Sequence, residues 1–237
     1  MKVHNRTKTY QNGAAASFID KKLEIGIVSF SLDELTRATG LSIIAAKNQL
    51  LRLEDKVVRA TPRQQYFLIV PPERRVYGAP PPAWWLNDYF KWLGKPYYLA
   101  LLSAAAVYGS SPQAIQETQV ITDTPRRQIT IGRIRIRFFM KSGIGRTITQ
   151  QLPHAYAPLF ISTPESTIYD LVRYAHRIGG LERVAETIAP MLPTIKTRKL
   201  IQVLKAEREI ATAESLRLML ETVGAHKLAS ELVAVGQ

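Results

Sequence analysis

The sequence predicts an α+β chain: an N-terminal winged helix-turn-helix domain, then a mixed α/β domain with a small sheet and a helical C-terminal part. Three observations carry this. Residues 31–70 hold two capped amphipathic segments, a glycine between them and a basic pair of short β-like runs. Residues 118–151 change to a period of two, and from residue 164 onward apolar side chains recur at helical spacing.

The first helix is expected from Asn12-Gly13 to about Glu24, supporting the helix-turn-helix from behind. Ser31-Leu32-Asp33-Glu34 is a capping-box pattern, in which Ser31 accepts from the amide of Glu34 and the Glu34 carboxylate reaches back. Thr39-Gly40-Leu41 ends that helix with a residue free to take positive φ. Ser42 caps a second helix expected to run to about Asp55. Ala46, Leu50 and Leu53 share one of its faces by the i, i+4, i+7 rule, and Ile44, Ala45, Asn48 and Arg52 lie roughly opposite, with Lys47 on the flank. Residues 57–60 and 65–70 read as short strands around a turn holding Thr61-Pro62-Arg63. Two helices, a tight turn and a basic hairpin are what a major-groove reader with a backbone-gripping wing requires. The candidate DNA-facing set is Ser42, Ile44, Ala45, Lys47, Asn48 and Arg52 on the helix, with Arg59 and Arg63 on the wing.

Residues 71–83 carry five of the 14 prolines and no helical period. They are expected to be a semi-rigid linker between a DNA-binding domain at 1–70, led by a basic arm at 1–11, and a second domain at 84–237. Trp84, Trp85, Phe90 and Trp92 follow at once and suggest an aromatic helix sealing the second domain. The apolar stretch 97–107 reads as a buried helix, far short of the roughly 18 residues of a membrane span. Basic strands are expected within 118–151. Arg133, Arg135 and Arg137 alternate with Ile134, Ile136 and Phe138, which on a strand aims three guanidiniums one way. Arg126, Arg127, Lys141 and Arg146 flank them, and all seven are expected to contact phosphate. Thr163-Pro164 opens the C-terminal helices, expected over 164–235. Their apolar faces are marked by Ile168, Leu171, Val172, Ala175 and Ile178, then Leu200, Val203 and Leu204, then Leu228, Leu232 and Val235.

Charge narrows the partner. The chain has 237 residues and a formal net charge of +13. Residues 1–83 hold 13 basic against 7 acidic side chains, residues 84–150 hold 9 against 3, and residues 151–237 hold 10 against 9. A polyanion meeting the first two segments and not the third explains that division. No cysteine is present, so disulfides and thiolate metal sites are excluded. Residues 1–11 lack the apolar core of a secretory signal, and cytoplasmic residence is expected.

Catalysis is not expected. His4, His154, His176 and His226 are scattered without ligand spacing, and Gly109-Ser110-Ser111 is followed by no Asp-x-Asp pair to hold a metal. Asp33-Glu34 and Glu54-Asp55 sit at helix ends, where capping and solvation account for them. No cofactor motif is found.

Three places together resemble the AbiEi family of type IV antitoxins, from bacterial abortive-infection and toxin–antitoxin operons. One is the winged helix at about 17–70. Another is the run Lys95-Pro96-Tyr97-Tyr98-Leu99-Ala100-Leu101-Leu102-Ser103-Ala104, close to Tyr108-Gly109, where the family pattern has a histidine before the glycine. The third is Thr163-Pro164-Glu165-Ser166-Thr167-Ile168-Tyr169-Asp170-Leu171-Val172. The resemblance implies a transcriptional autorepressor that binds inverted repeats in its own promoter. It also implies a C-terminal domain that counteracts a co-encoded nucleotidyltransferase-like toxin, typically without a stable complex. It carries over no catalytic residue. Two other classes remain open on the residues alone: a winged-helix regulator whose second domain senses a small ligand, and a protein that binds the toxin directly.

Overall fold

Two serine caps organise the N-terminal part of the computed structural model, which describes residues 13–110, 117–152 and 157–232. The expected arm at 1–11, His154 and Val235 lie outside the described residues. Helix α1 (Ala14–Glu24) is followed by a short strand β1 (Ser29–Ser31), helix α2 (Leu32–Thr39) and helix α3 (Ile43–Leu51). Ser31 accepts from the Glu34 amide at 3.1 Å, and Ser42 accepts from the Ala45 amide at 3.2 Å. The Glu34 carboxylate pairs with Lys22 of α1, so it ties two helices together. Gly40 closes α2 in the left-handed conformation at φ 70°.

Strands β2 (Val57–Arg59) and β3 (Tyr66–Ile69) then form a hairpin, and β3 also pairs with β1, giving the antiparallel order β1-β3-β2. Strand β1 is not legible in the sequence. Its three residues are too few for a period to be read. Ile19, Phe30, Leu35, Ala46, Leu50 and Phe67 build the core between the helices and this sheet.

The chain divides into two units, and the division does not fall at the proline-rich stretch. The first unit takes in the described residues up to Gly94 together with Ile129–Arg135 and Ala157; the second holds the described residues of 95–128, those from Ile136 to Leu152 and those from Pro158 on. Residues 71–83 are folded, as 3-10 turns over Pro72–Tyr77 and Pro82–Trp84. Helix α4 (Leu86–Leu93) packs on the first unit, because Tyr66 meets Tyr89 at 5.4 Å and Trp92 at 5.0 Å. The aromatic helix therefore groups with the first unit, where it braces the hairpin, and not with the residues that follow it as expected.

In the second unit the apolar run 97–107 splits into strand β4 (Tyr97–Leu99) and helix α5 (Leu101–Val107). Strand β5 (Thr118–Thr122) pairs antiparallel with β4 and parallel with Ile136–Met140 of β7 (Ile134–Met140), whose start groups with the first unit, as does β6 (Ile129–Ile131) before the turn into β7. Strands β8 (Thr149–Gln151) and β9 (Phe160–Ser162) complete a mixed sheet with neighbours in the order β7-β5-β4-β9-β8. Helix α6 (Pro164–Arg173) starts where expected, with Thr163 accepting from the Ser166 amide at 3.3 Å. Its residues 165–172 are all buried, and around it pack α7 (Ala175–Ile178), α8 (Gly180–Ile188), α9 (Thr197–Glu207), α10 (Ile210–Thr222) and α11 (His226–Leu232). The chain is thus α+β. Among the described residues no helix is long and apolar enough to cross a membrane.

Candidate nucleic-acid interface

Helix α3 turns Ala46 and Leu50 into the core and leaves Ile43, Ile44, Lys47, Asn48 and Leu51 exposed. Ser42 is exposed at its start. Arg52 is exposed just beyond its last turn, because the helix ends at Leu51 and does not run on to Asp55. Ala45 departs from expectation: it is half-buried and packs against the core. Its small side chain sits at the edge of the inward face. Ile43 and Leu51, 55% and 70% exposed, join this face without having been expected on it. The i, i+4, i+8 series from Ile43 through Lys47 to Leu51 is the signal that could have found them.

The hairpin stands beside this face. Its Arg59 guanidinium lies 5.6 Å above the Phe67 ring and donates to the Pro62 carbonyl at 3.3 Å, which holds the side chain along the turn. Arg63 is exposed in the same turn. Gln64 accepts from the Thr61 hydroxyl at 2.9 Å and from the Tyr89 hydroxyl at 2.6 Å, so α4 stiffens the turn. Lys47 and Arg59 share a cleft of about 170 Å³, floored by Leu50 and Phe67 and flanked by Leu51 and Glu54.

The arginine strand divides at Ile136. Arg133 and Arg135 are exposed and fall within the first unit, Arg133 in the turn before β7 and Arg135 in the strand. Arg137 belongs to the second unit, where it pairs with Glu117 at 3.5 Å, donates to the Arg177 carbonyl at 3.0 Å and lies over the Phe139 ring. Arg133 and Arg135 are thus open to solvent, whereas the Arg137 guanidinium is engaged within its own unit. Arg127 and Arg146 are exposed and Arg126 is half-buried.

Lys141 is a correction. It is 1% exposed, and its ammonium donates to Asp170 Oδ1 and Glu207 Oε1, each at 2.7 Å. An ammonium held between two buried carboxylates offers nothing to phosphate. The Thr147 hydroxyl donates to the same Glu207 oxygen at 2.7 Å, and the Tyr98 hydroxyl donates to Asp170 Oδ2 at 2.8 Å. Burial raises the Asp170 carboxyl above the ordinary carboxylate range, partly opposed by Lys141. This network joins the segment around Tyr98, the end of the basic strand and the Thr-Pro-Glu run in one core. Among the described residues no group of three or more His, Cys, Asp or Glu could hold a metal ion.

Comparison with known proteins bears on the second unit first. The AbiEi antitoxin C-terminal domain matches residues 98–222, more than half of the chain. No curated protein matches it. Among solved structures, the RV2827C protein from Mycobacterium tuberculosis superimposes with a TM-score of 0.67 at 14% identity, over 94% of this chain and 82% of that one, a likeness of fold. An antigenic nucleotidyltransferase-like protein from Paracoccidioides brasiliensis gives a TM-score of 0.40 at 10% identity, over 63% of this chain and 89% of that one. With its matched segment spanning strand β5, the buried Lys141–Asp170–Glu207 network and the helices around α6, the chain belongs to the AbiEi antitoxin family.

Proposed function

We propose that this antitoxin represses its own promoter through the first unit and opposes a co-encoded nucleotidyltransferase-like toxin through the second. In this reading the first unit is a winged helix-turn-helix, with α2 and α3 as the helix pair, Gly40 in the turn and β2–β3 as the wing. The observation that carries it is the outward face of α3. That helix presents Ile44, Lys47 and Asn48 with Arg52 behind, beside a hairpin bearing Arg59 and Arg63. A helix of this kind enters the major groove, where the Asn48 amide matches adenine and the Arg52 guanidinium matches guanine. The wing arginines, with Arg127, Arg133, Arg135 and Arg146, grip phosphates. Two copies bound with twofold symmetry would read inverted repeats. Family membership supports the antitoxin part, with the toxin opposed without a stable complex.

The test uses the full chain and DNA from upstream of its own gene, compared with scrambled DNA of equal length by fluorescence anisotropy. Tight binding to the promoter is expected, and Asn48→Ala should weaken it by about 1–3 kcal/mol while scarcely changing binding to scrambled DNA. Equal loss on both DNAs would show that Asn48 reads no base. In cells, co-expression with the neighbouring gene should restore growth. Protection by a chain that ignores its promoter would leave the antitoxin role and remove the repressor role.

A further inference from the structure

Helix α3 begins with two consecutive isoleucines held in solvent, Ile43 at 55% and Ile44 at 74% exposure. A nine-residue helix whose buried face needs only Ala46 and Leu50 has no packing use for them. The residues around them on the open face are Ser42, Lys47 and Asn48, with Leu51 at the far end of the helix, and cations follow at Arg52, Arg59 and Arg63. An apolar pair surrounded by hydrogen-bonding and cationic groups complements a surface that is anionic at its edges and carries small apolar groups in the middle. The major groove has one such group, the C5 methyl of thymine.

We propose that Ile43 and Ile44 read thymine methyls, so that the first turn of α3 selects A·T pairs at the steps it covers. The proposal rests on the DNA-binding reading of the first unit and adds the base class that it selects. Position agrees with it, because in helix-turn-helix proteins the N-terminal residues of the second helix meet base edges. The rest of the helix agrees as well. Its body, Ile43–Leu51, contains no arginine, the side chain best matched to guanine, and Asn48 carries the amide that pairs with adenine. Lys47 faces the cleft it shares with Arg59, which suits a phosphate between helix and wing.

Deoxyuridine removes the C5 methyl of thymine and leaves base pairing and groove polarity unchanged, so it isolates the contact. The promoter site is first mapped by footprinting with the full chain. Each thymine within a half-site is then replaced in turn by deoxyuridine, and affinity is read by fluorescence anisotropy at fixed salt. One or two positions per half-site should weaken wild-type binding about fourfold each, the effect of one buried methylene-sized group. With Ile44→Ala, one of those positions should become indifferent to the methyl, because partner and contact are then both gone. Ile43→Ala should silence the neighbouring one, while Asn48→Ala should stay sensitive at both. All three side chains are exposed, and circular dichroism confirms that the variants fold.

Specific binding that ignores every thymine-to-uracil change overturns the proposal and leaves the repressor reading intact. Sensitivity that survives in both isoleucine variants also overturns it, since another group then reads the methyl. A change of oligomeric state in Ile44→Ala without any methyl effect would assign the pair to a protein interface instead. Absence of specific promoter binding by the wild-type chain ends the proposal and the repressor reading together.

Discussion

Lys141 illustrates how a single side chain changes meaning between sequence and structure. It closes an alternating run of arginines and isoleucines, and an exterior cation is the natural expectation. Its partners, Asp170 and Glu207, lie 29 and 66 residues away, so the burial is a tertiary fact that no local pattern announces. One ammonium between two carboxylates leaves the group one negative charge in excess if all three ionise, and burial makes that charge costly. The raised Asp170 carboxyl is the consequence. Its sign sets a pH dependence. The folded chain holds this proton more tightly than the unfolded chain does, so the stabilisation is complete below the ordinary carboxylate range. It is lost as pH rises through the raised value. Asp170→Asn should remove that component from a plot of unfolding free energy against pH. A slope unchanged in the variant would place the proton elsewhere. Lys141→Met should cost about 3–5 kcal/mol in urea unfolding at neutral pH, because two carboxylates are then buried without their cation. Acidification should recover part of the loss.

Short-range chemistry is where the elements are legible. Ser31 and Ser42 accept from the amides three residues on, Gly40 takes the left-handed turn, and Thr163-Pro164 opens α6, each a contact within one turn of its own residue. Elements whose identity depends on distant partners differ from the sequence expectation. Residues 97–99 form a strand because β5 and β9 flank them, although their composition fits a helix equally well. The aromatic helix α4 joins the first unit and not the second for the same reason: its partner, Tyr66, precedes it across the prolines. In the candidate site, the exposed face of α3 is set by helical period, whereas the pairing of Arg137 with Glu117 depends on strand register. The turn between β6 and β7 shows a long-range demand on one residue. Gly132 has φ +54°, and a Cβ there would stand 2.2 Å from the Tyr77 carbonyl oxygen, which accepts from the Arg133 amide at 2.9 Å. Gly132→Ala should therefore lower stability by about 1–3 kcal/mol from overpacking, with a further ~1–2 kcal/mol from backbone strain. Gly145→Ala, where nothing lies within 4 Å, should stay within about 0.5 kcal/mol of wild type. Comparable urea midpoints for both variants would show that the turn yields.

At the scale of the whole molecule the basic excess has two fates. Part of it is neutralised internally: Lys141 by two buried carboxylates, and Arg137 by Glu117 and a carbonyl. Arg133 and Arg135, which group with the unit that carries α3, stay exposed. Net charge alone would assign the four cations equal weight on DNA; their environments do not. Each phosphate contact releases condensed counterions, so losing one lowers the slope of log affinity against log salt by about 0.9. Arg133→Ala with Arg135→Ala should therefore reduce the slope by about 1.8 and weaken promoter and scrambled DNA alike, since phosphates carry no sequence. Arg137→Ala should leave the slope nearly unchanged, because its guanidinium is already paired. The measurement is anisotropy at four or more salt concentrations on both DNAs, with thermal melting to confirm that each variant folds. If the Arg137 variant lowers the slope as much as the double variant does, the ion pair with Glu117 opens on DNA and the whole strand is engaged. If neither moves it, the phosphate contacts belong to other cations of the chain, and Arg133 and Arg135 are a solvated edge.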